Sequence, residues 1–127
     1  MMTSPYQIVE KISSSREAQI YKALDKRTQR YVALKVVVLD DLDTNELAEI
    51  QQEVTVLTQC DSPYITKYFG SLTDGLKLSI ALEWMGGGTI RELLDADGPL
   101  PEEAIACVLR DTLLGLAYLH SQQRIHR

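Results

Sequence analysis

Lys35 lies in the apolar stretch "YVALKVVVL", residues 31–39, where an ammonium group has no obvious place. Burying such a charge is costly unless a partner offsets it. Strand alternation puts Ala33, Lys35 and Val37 on one face. A small residue, a cation and a branched residue together suit a flat ring lying beside a phosphate. The competing reading is an edge-strand lysine that reaches out to water and discourages sheet aggregation. Glu53 is the partner that would decide between them. At about 100° per residue it sits at the margin of the helical stripe made by Leu47, Ile50, Val54 and Leu57, so its carboxylate can face a sheet. Glu46 has a similar angle two turns earlier and is a rival, although with Asp43 it also spells a capping box. Asp40, Asp41, Asp43 and Glu49 read as a solvated face rather than a metal site.

The stretch "KISSSREAQIYKAL", residues 11–24, has the rhythm of a hairpin that covers a nucleotide: an extended start, a polar tip, then alternation through Ile20, Lys22 and Leu24. It contains no glycine, and the first glycine of the chain is Gly70. Glycine serves such loops by letting the backbone approach phosphates and adopt conformations closed to other residues.

These residues need elements to position them. "YQIVEKI", "AQIYKAL" and "YVALKVVVL" are short, rich in β-branched or aromatic residues and separated by polar clusters, which predicts a three-stranded antiparallel meander. The period then becomes helical from Asp43 until "CDSP". "YITKYFGSL" and "KLSIALEWM" predict two more strands joined at "TDG". Gly86, Gly87 and Gly88 break the chain, and a short helix, "TIRELLDA", follows. A long helix is expected from about Pro101 to about Ser121, with Ile105, Val108, Leu109, Thr112, Leu116 and Leu119 on one face. No internal repeat or low-complexity segment is visible.

Composition narrows the function classes. With 127 residues, 45% hydrophobic and 24% charged, the chain is one ordinary globular domain or part of one. A net charge of −5 argues against a nucleic-acid binder held by phosphate neutralisation, yet a nucleotide needs only one or two local cations. Cys60 and Cys107 lack metal or redox spacing and are expected to be reduced, structural thiols. The start, "MMTSPYQIVEKI", shows no secretory pattern, and no apolar run approaches a membrane span, so a cytoplasmic protein is expected.

"VALK" with Lys35, the following helix with Glu53, "ALEWMGGG" and the closing "YLHSQQRIHR" together resemble the amino-terminal lobe of a eukaryotic protein kinase and the approach to its catalytic loop. "IQQEVTVLTQCDSPYITKYFGS", "GGGTIRELL" and "GLAYLHSQQRIHR" are similar to the germinal-centre branch of the sterile-twenty serine/threonine kinases. The resemblance implies an α+β fold: a five-stranded antiparallel sheet with one packed helix, followed by the first helices of the larger lobe. It implies a small lobe over residues 1–82, a hinge over 83–88 and the larger lobe from 89. It also implies ATP as ligand, with magnesium in a full-length relative. Lys35 would contact the α- and β-phosphates and Glu53 would pair with it. Ile12 and Ile20 would clamp the adenine, Ala33 would lie over its ring, and Leu82 would guard the back of the pocket. Glu83 and Met85 would offer backbone hydrogen bonds to the adenine edge.

Two departures from the family stand out. Its three loop glycines align with Ser13, Ser15 and Ala18, and its aromatic tip with Glu17, so weaker phosphate positioning is expected, by about 1–3 kcal/mol. The sequence also stops at "IHR", before the aspartate that accepts the substrate proton and before the asparagine and D-F-G aspartate that hold magnesium. His126 is accordingly expected to be structural, neither base nor metal ligand. Three readings follow: the ATP-binding portion of a serine/threonine kinase, catalytically incomplete alone; a pseudokinase-like protein-binding module; or a nonfunctional remnant. The long helix is expected to expose an apolar face suited to a protein partner or self-association. Titrating nucleotide into the wild type and Glu17→Gly checks the loop reading: tighter binding by the glycine variant is expected, and equal affinities would remove the loop from it.

Overall fold

The computed structural model describes residues 4–127 and contains five strands and three helices: β1 (Tyr6–Ser14), β2 (Gln19–Asp25), β3 (Arg30–Val38), α1 (Thr44–Gln59), β4 (Tyr68–Asp74), β5 (Lys77–Glu83), α2 (Ile90–Asp97) and α3 (Glu102–Ser121). Met1–Thr3, which open the segment read as lacking a leader, lie outside the described residues. The chain divides into two compact units, one of residues 4–60 and 66–84, the other of 61–65 and 85–127. No helix among the described residues is long and apolar enough to cross a membrane.

The first unit is the α+β half, a five-stranded antiparallel sheet in the order β1-β2-β3-β5-β4 with α1 packed against β4. Its register sorts the side chains. Tyr21, Leu34 and Ala81 lie in one row across three strands, and Ala23 faces Val32 in the next. Tyr6, Ala23, Val32, Leu34 and Ala81 form a buried cluster with Tyr21 and Val36 packed against it. On the opposite face, Ile20, Lys35 and Ile80 share one row, and Lys22, Ala33 and Leu82 share the next. Ile80 and Val37 on this face are 1% and 2% exposed, so both sides of the sheet carry core.

Local chemistry sets the boundaries. The β4–β5 hairpin turns through Gly75 and Leu76, and Gly75 takes φ +59°, the sign that a type II′ turn requires at that place. The α1 helix starts at the expected capping box. Asp43 Oδ1 accepts hydrogen bonds from the Asn45 and Glu46 N–H groups at 2.8 and 2.9 Å, and the Glu46 carboxylate accepts from the Asp43 N–H at 2.8 Å. The edge strand β1 shifts register around Val9 and Ile12, and such bulges make an edge poor for pairing with other chains.

One boundary read from sequence is corrected. Strand β4 begins at Tyr68, not Tyr64, because Ser62 turns the preceding chain. The Tyr64 N–H donates to Ser62 Oγ and the Ile65 N–H to the Ser62 carbonyl, both at 3.2 Å. Residues 61–65 instead belong with α3, where the Asp61 N–H donates to Tyr118 Oη at 2.8 Å. A Cβ at Gly115 would meet the Tyr64 carbonyl at 3.0 Å, so glycine permits this close approach. Along α3, Gly115 and Leu119 are buried, whereas Ile105, Leu109 and Leu113 are exposed, an apolar surface of the kind the sequence leads one to expect. The helix is apolar around much of its girth, and the small residue selects the inner face. Cys60 is half-buried and Cys107 exposed; both are free.

A buried carboxylate holds the β2–β3 turn. Asp25, 3% exposed, accepts from the Arg27 N–H at 2.9 Å and from its guanidinium at 3.1 and 3.2 Å, and that guanidinium reaches Tyr6 Oη at 3.4 Å. The Arg27 side-chain bond, the largest influence, holds the Asp25 carboxyl below its ordinary range despite burial. Its folded pKa being depressed, its stabilisation is complete above the unfolded carboxylate pKa of about 3.9 and lost as pH falls through the lower folded value. Asp25→Ala is expected to cost about 1–3 kcal/mol in urea denaturation at neutral pH, and Asp25→Asn to flatten the loss of stability below about pH 4.

Candidate functional site

The Lys35 side chain is 25% exposed, and its Nζ lies 3.0 Å from Glu53 Oε1 and 3.3 Å from Oε2, bonded to both oxygens. The two residues are brought together by different elements. The register of β3 places Lys35 between Ile20 and Ile80, and α1 delivers Glu53 over that row. Glu46, the sequence rival, is occupied by its cap. The edge-lysine reading also fails, because β3 is paired on both sides, with β2 and β5. Glu53 is 47% exposed at its side chain, so water reaches the pair and leaves the ammonium accessible to an anion.

Four of the residues singled out from sequence, Ile20, Ala33, Lys35 and Leu82, share this sheet face in two adjacent rows. Small Ala33 beside Leu82 leaves a shallow apolar bed next to a cation. Lys22 belongs to the same row as Ala33, and its Nζ stands 4.3 Å from the Tyr31 ring centroid and 5.2 Å from that of Trp84. This aromatic seat fixes the ammonium at the rim of the bed. Ile12 falls at the second β1 register shift and is 46% exposed, outside the regular rows. The Glu83 N–H is committed to the Lys67 carbonyl at 2.8 Å. Met85 belongs to the second unit, is 59% exposed, and accepts at its carbonyl from the Gly88 N–H at 3.2 Å.

The loop between β1 and β2 closes without glycine. Ser15 donates its N–H to the Ala18 carbonyl at 2.9 Å, and its hydroxyl both donates to that carbonyl and accepts the Ala18 N–H, each at 3.1 Å. No residue from Ser13 to Ala18 takes a positive φ, so the tip needs no left-handed backbone. At Ser15 the backbone donor is thus used inside the loop. A serine four residues before the returning strand is the signal for this clasp, since serine hydroxyls bond nearby backbone. Beside the tip, Arg16, Glu17, Val38, Asp41, Leu42 and Glu46 line a cleft of about 350 Å³.

These residues fit a nucleotide in part. An apolar bed and an accessible, oriented ammonium suit an adenine ring and a phosphate. Among the described residues, no group of three His, Cys, Asp or Glu could hold a metal ion. His126 Nδ1 lies 3.0 Å from the Arg127 carbonyl oxygen, an adjacent backbone contact. Compared with known families, residues 6–127 match the protein kinase domain.

Because the Lys35–Glu53 pair is substantially solvated, Glu53→Gln is expected to change unfolding free energy by less than about 1 kcal/mol. Urea denaturation of the variant beside the wild type measures this, and a larger loss would mean that the pair is a structural strut.

Proposed function

The chain belongs to the protein kinase domain family, and we propose that its first unit is the ATP-binding part of a serine/threonine kinase of the germinal-centre, sterile-twenty-like branch. The observation that carries this reading is the Lys35–Glu53 pair beside Ala33 and Leu82 on one sheet face. Ile20, Ala33 and Leu82 form the surface that receives adenine. Lys35 presents its ammonium to the α- and β-phosphates, and the Glu53 carboxylate keeps it pointed along the face. Neither residue moves a proton; both position and neutralise charge. ATP supplies the transferable γ-phosphate and magnesium screens its charge in the family at large.

Serine/threonine preference rests on "IQQEVTVLTQCDSPYITKYFGS" and "GGGTIRELL". A pseudokinase-like binding module is the second reading, favoured by the Ser15 clasp, which occupies loop donors that a phosphate would use.

Calorimetric titration of ATP into wild type and Lys35→Met tests the reading. The substitution is expected to weaken ATP about tenfold, as for loss of one charge-assisted hydrogen bond, with unchanged thermal stability. Equal affinities would show that Lys35 does not meet the phosphates.

A further inference from the structure

We infer that Ser15 is a specificity-determining residue that makes this site read the adenine nucleoside while drawing little affinity from the phosphates. The inference rests on the nucleotide-site reading above and deepens it. In a phosphate-covering loop, the phosphate is held by backbone N–H groups that have no internal partner. Here the tip uses them itself: the Ser15 N–H goes to the Ala18 carbonyl, and the Ala18 N–H goes to the Ser15 hydroxyl. These are two of the positions where sequence alignment expects glycine, so the clasp falls where phosphate contact would be made. Opening it would require giving up three hydrogen bonds at 2.9–3.1 Å.

The charge around the tip acts in the same direction. Glu17, Asp41 and Glu46 line the adjoining cleft against one cation, Arg16, so a polyanion under the tip meets a net negative wall. Lys35 remains the cation that favours phosphate, three strand positions from Val38 at the edge of that cleft. The adenine bed at Ile20, Ala33 and Leu82 is untouched by the clasp, because those residues sit in paired positions of the ladder. Discrimination between adenosine and ATP is therefore the quantity that Ser15 sets.

The experiment is calorimetric titration of adenosine and of ATP, each with and without magnesium, into the whole 127-residue chain and into Ser15→Ala and Ser15→Thr. The expected result is that wild type prefers ATP over adenosine by less than about tenfold, which Lys35 alone supplies. Ser15→Ala, which frees the Ala18 N–H, should raise that preference at least about threefold, and Ser15→Thr, which keeps the hydroxyl, should restore the wild-type ratio. A merely structural serine would shift both ligands together and leave the ratio fixed. A wild-type preference above tenfold, or a ratio unmoved by Ser15→Ala, overturns the inference while leaving the nucleotide-site reading in place. Binding of neither ligand overturns both. Circular dichroism of each variant establishes that Ser15, an exposed tip residue, is replaced in a folded chain, with Ser15→Gly as the alternative that also releases the clasp.

Discussion

The register of β3 between β2 and β5 is the constraint on which the site depends. Side chains alternate with a period of two, so a slip of one residue would carry Lys35 to the face of Leu34 and Val32, into a buried apolar cluster. That cluster holds the register in place. Leu34 is paired with Tyr21 and Ala81, and Val32 with Ala23, all of them in or against the core. The charge at Lys35 is tolerated because the apolar demand of the strand is met by its neighbours. Burial on one face thus specifies chemistry on the other.

The helix is indexed as tightly as the strand. Asp43 fixes the start of α1 through reciprocal bonds with Glu46, and Glu53 follows ten residues after the cap, about 15 Å along the axis. One acid caps and the other pairs, although both lie on similar helix angles. At the other end of the site, the β1–β2 loop satisfies its backbone through Ser15 and not through glycine's freedom. A loop built this way satisfies its own donors, whereas an open one would leave them for a ligand.

Much of this fold is readable from residue order because the local signals agree with the global ones. β-Branched runs give the five strands, and Asp43 with Glu46 gives the start of α1. Thr89 with Glu92 spells a second capping box that the chain uses at α2 and that the same rule identifies. What eludes sequence is decided by tertiary contact. Tyr64 and Ile65 have strand-like side chains, yet Ser62 turns this stretch and it packs against Gly115 of α3. The face of α3 is ambiguous because apolar residues surround it, and Gly115 chooses. The pairing of Glu53 with Lys35, by contrast, is legible, because Asp43 with Glu46 already spells the cap that occupies the rival carboxylate. The Ser15 clasp depends on where the hairpin reverses, a detail below the resolution of hydrophobic patterning.

Which sheet face receives the ligand decides whether Lys35 serves a nucleotide site. Nuclear Overhauser contacts between adenine protons and methyl groups, recorded on methyl-labelled protein with saturating adenosine, report this directly. Contacts from the ring to the Ala33 and Leu82 methyls, and none to Leu34 or Ala81, are the result that the register requires. Contacts to Leu34 or Ala81, or to no methyl of the sheet, would contradict the assignment of Lys35, Ala33 and Leu82 to a nucleotide site.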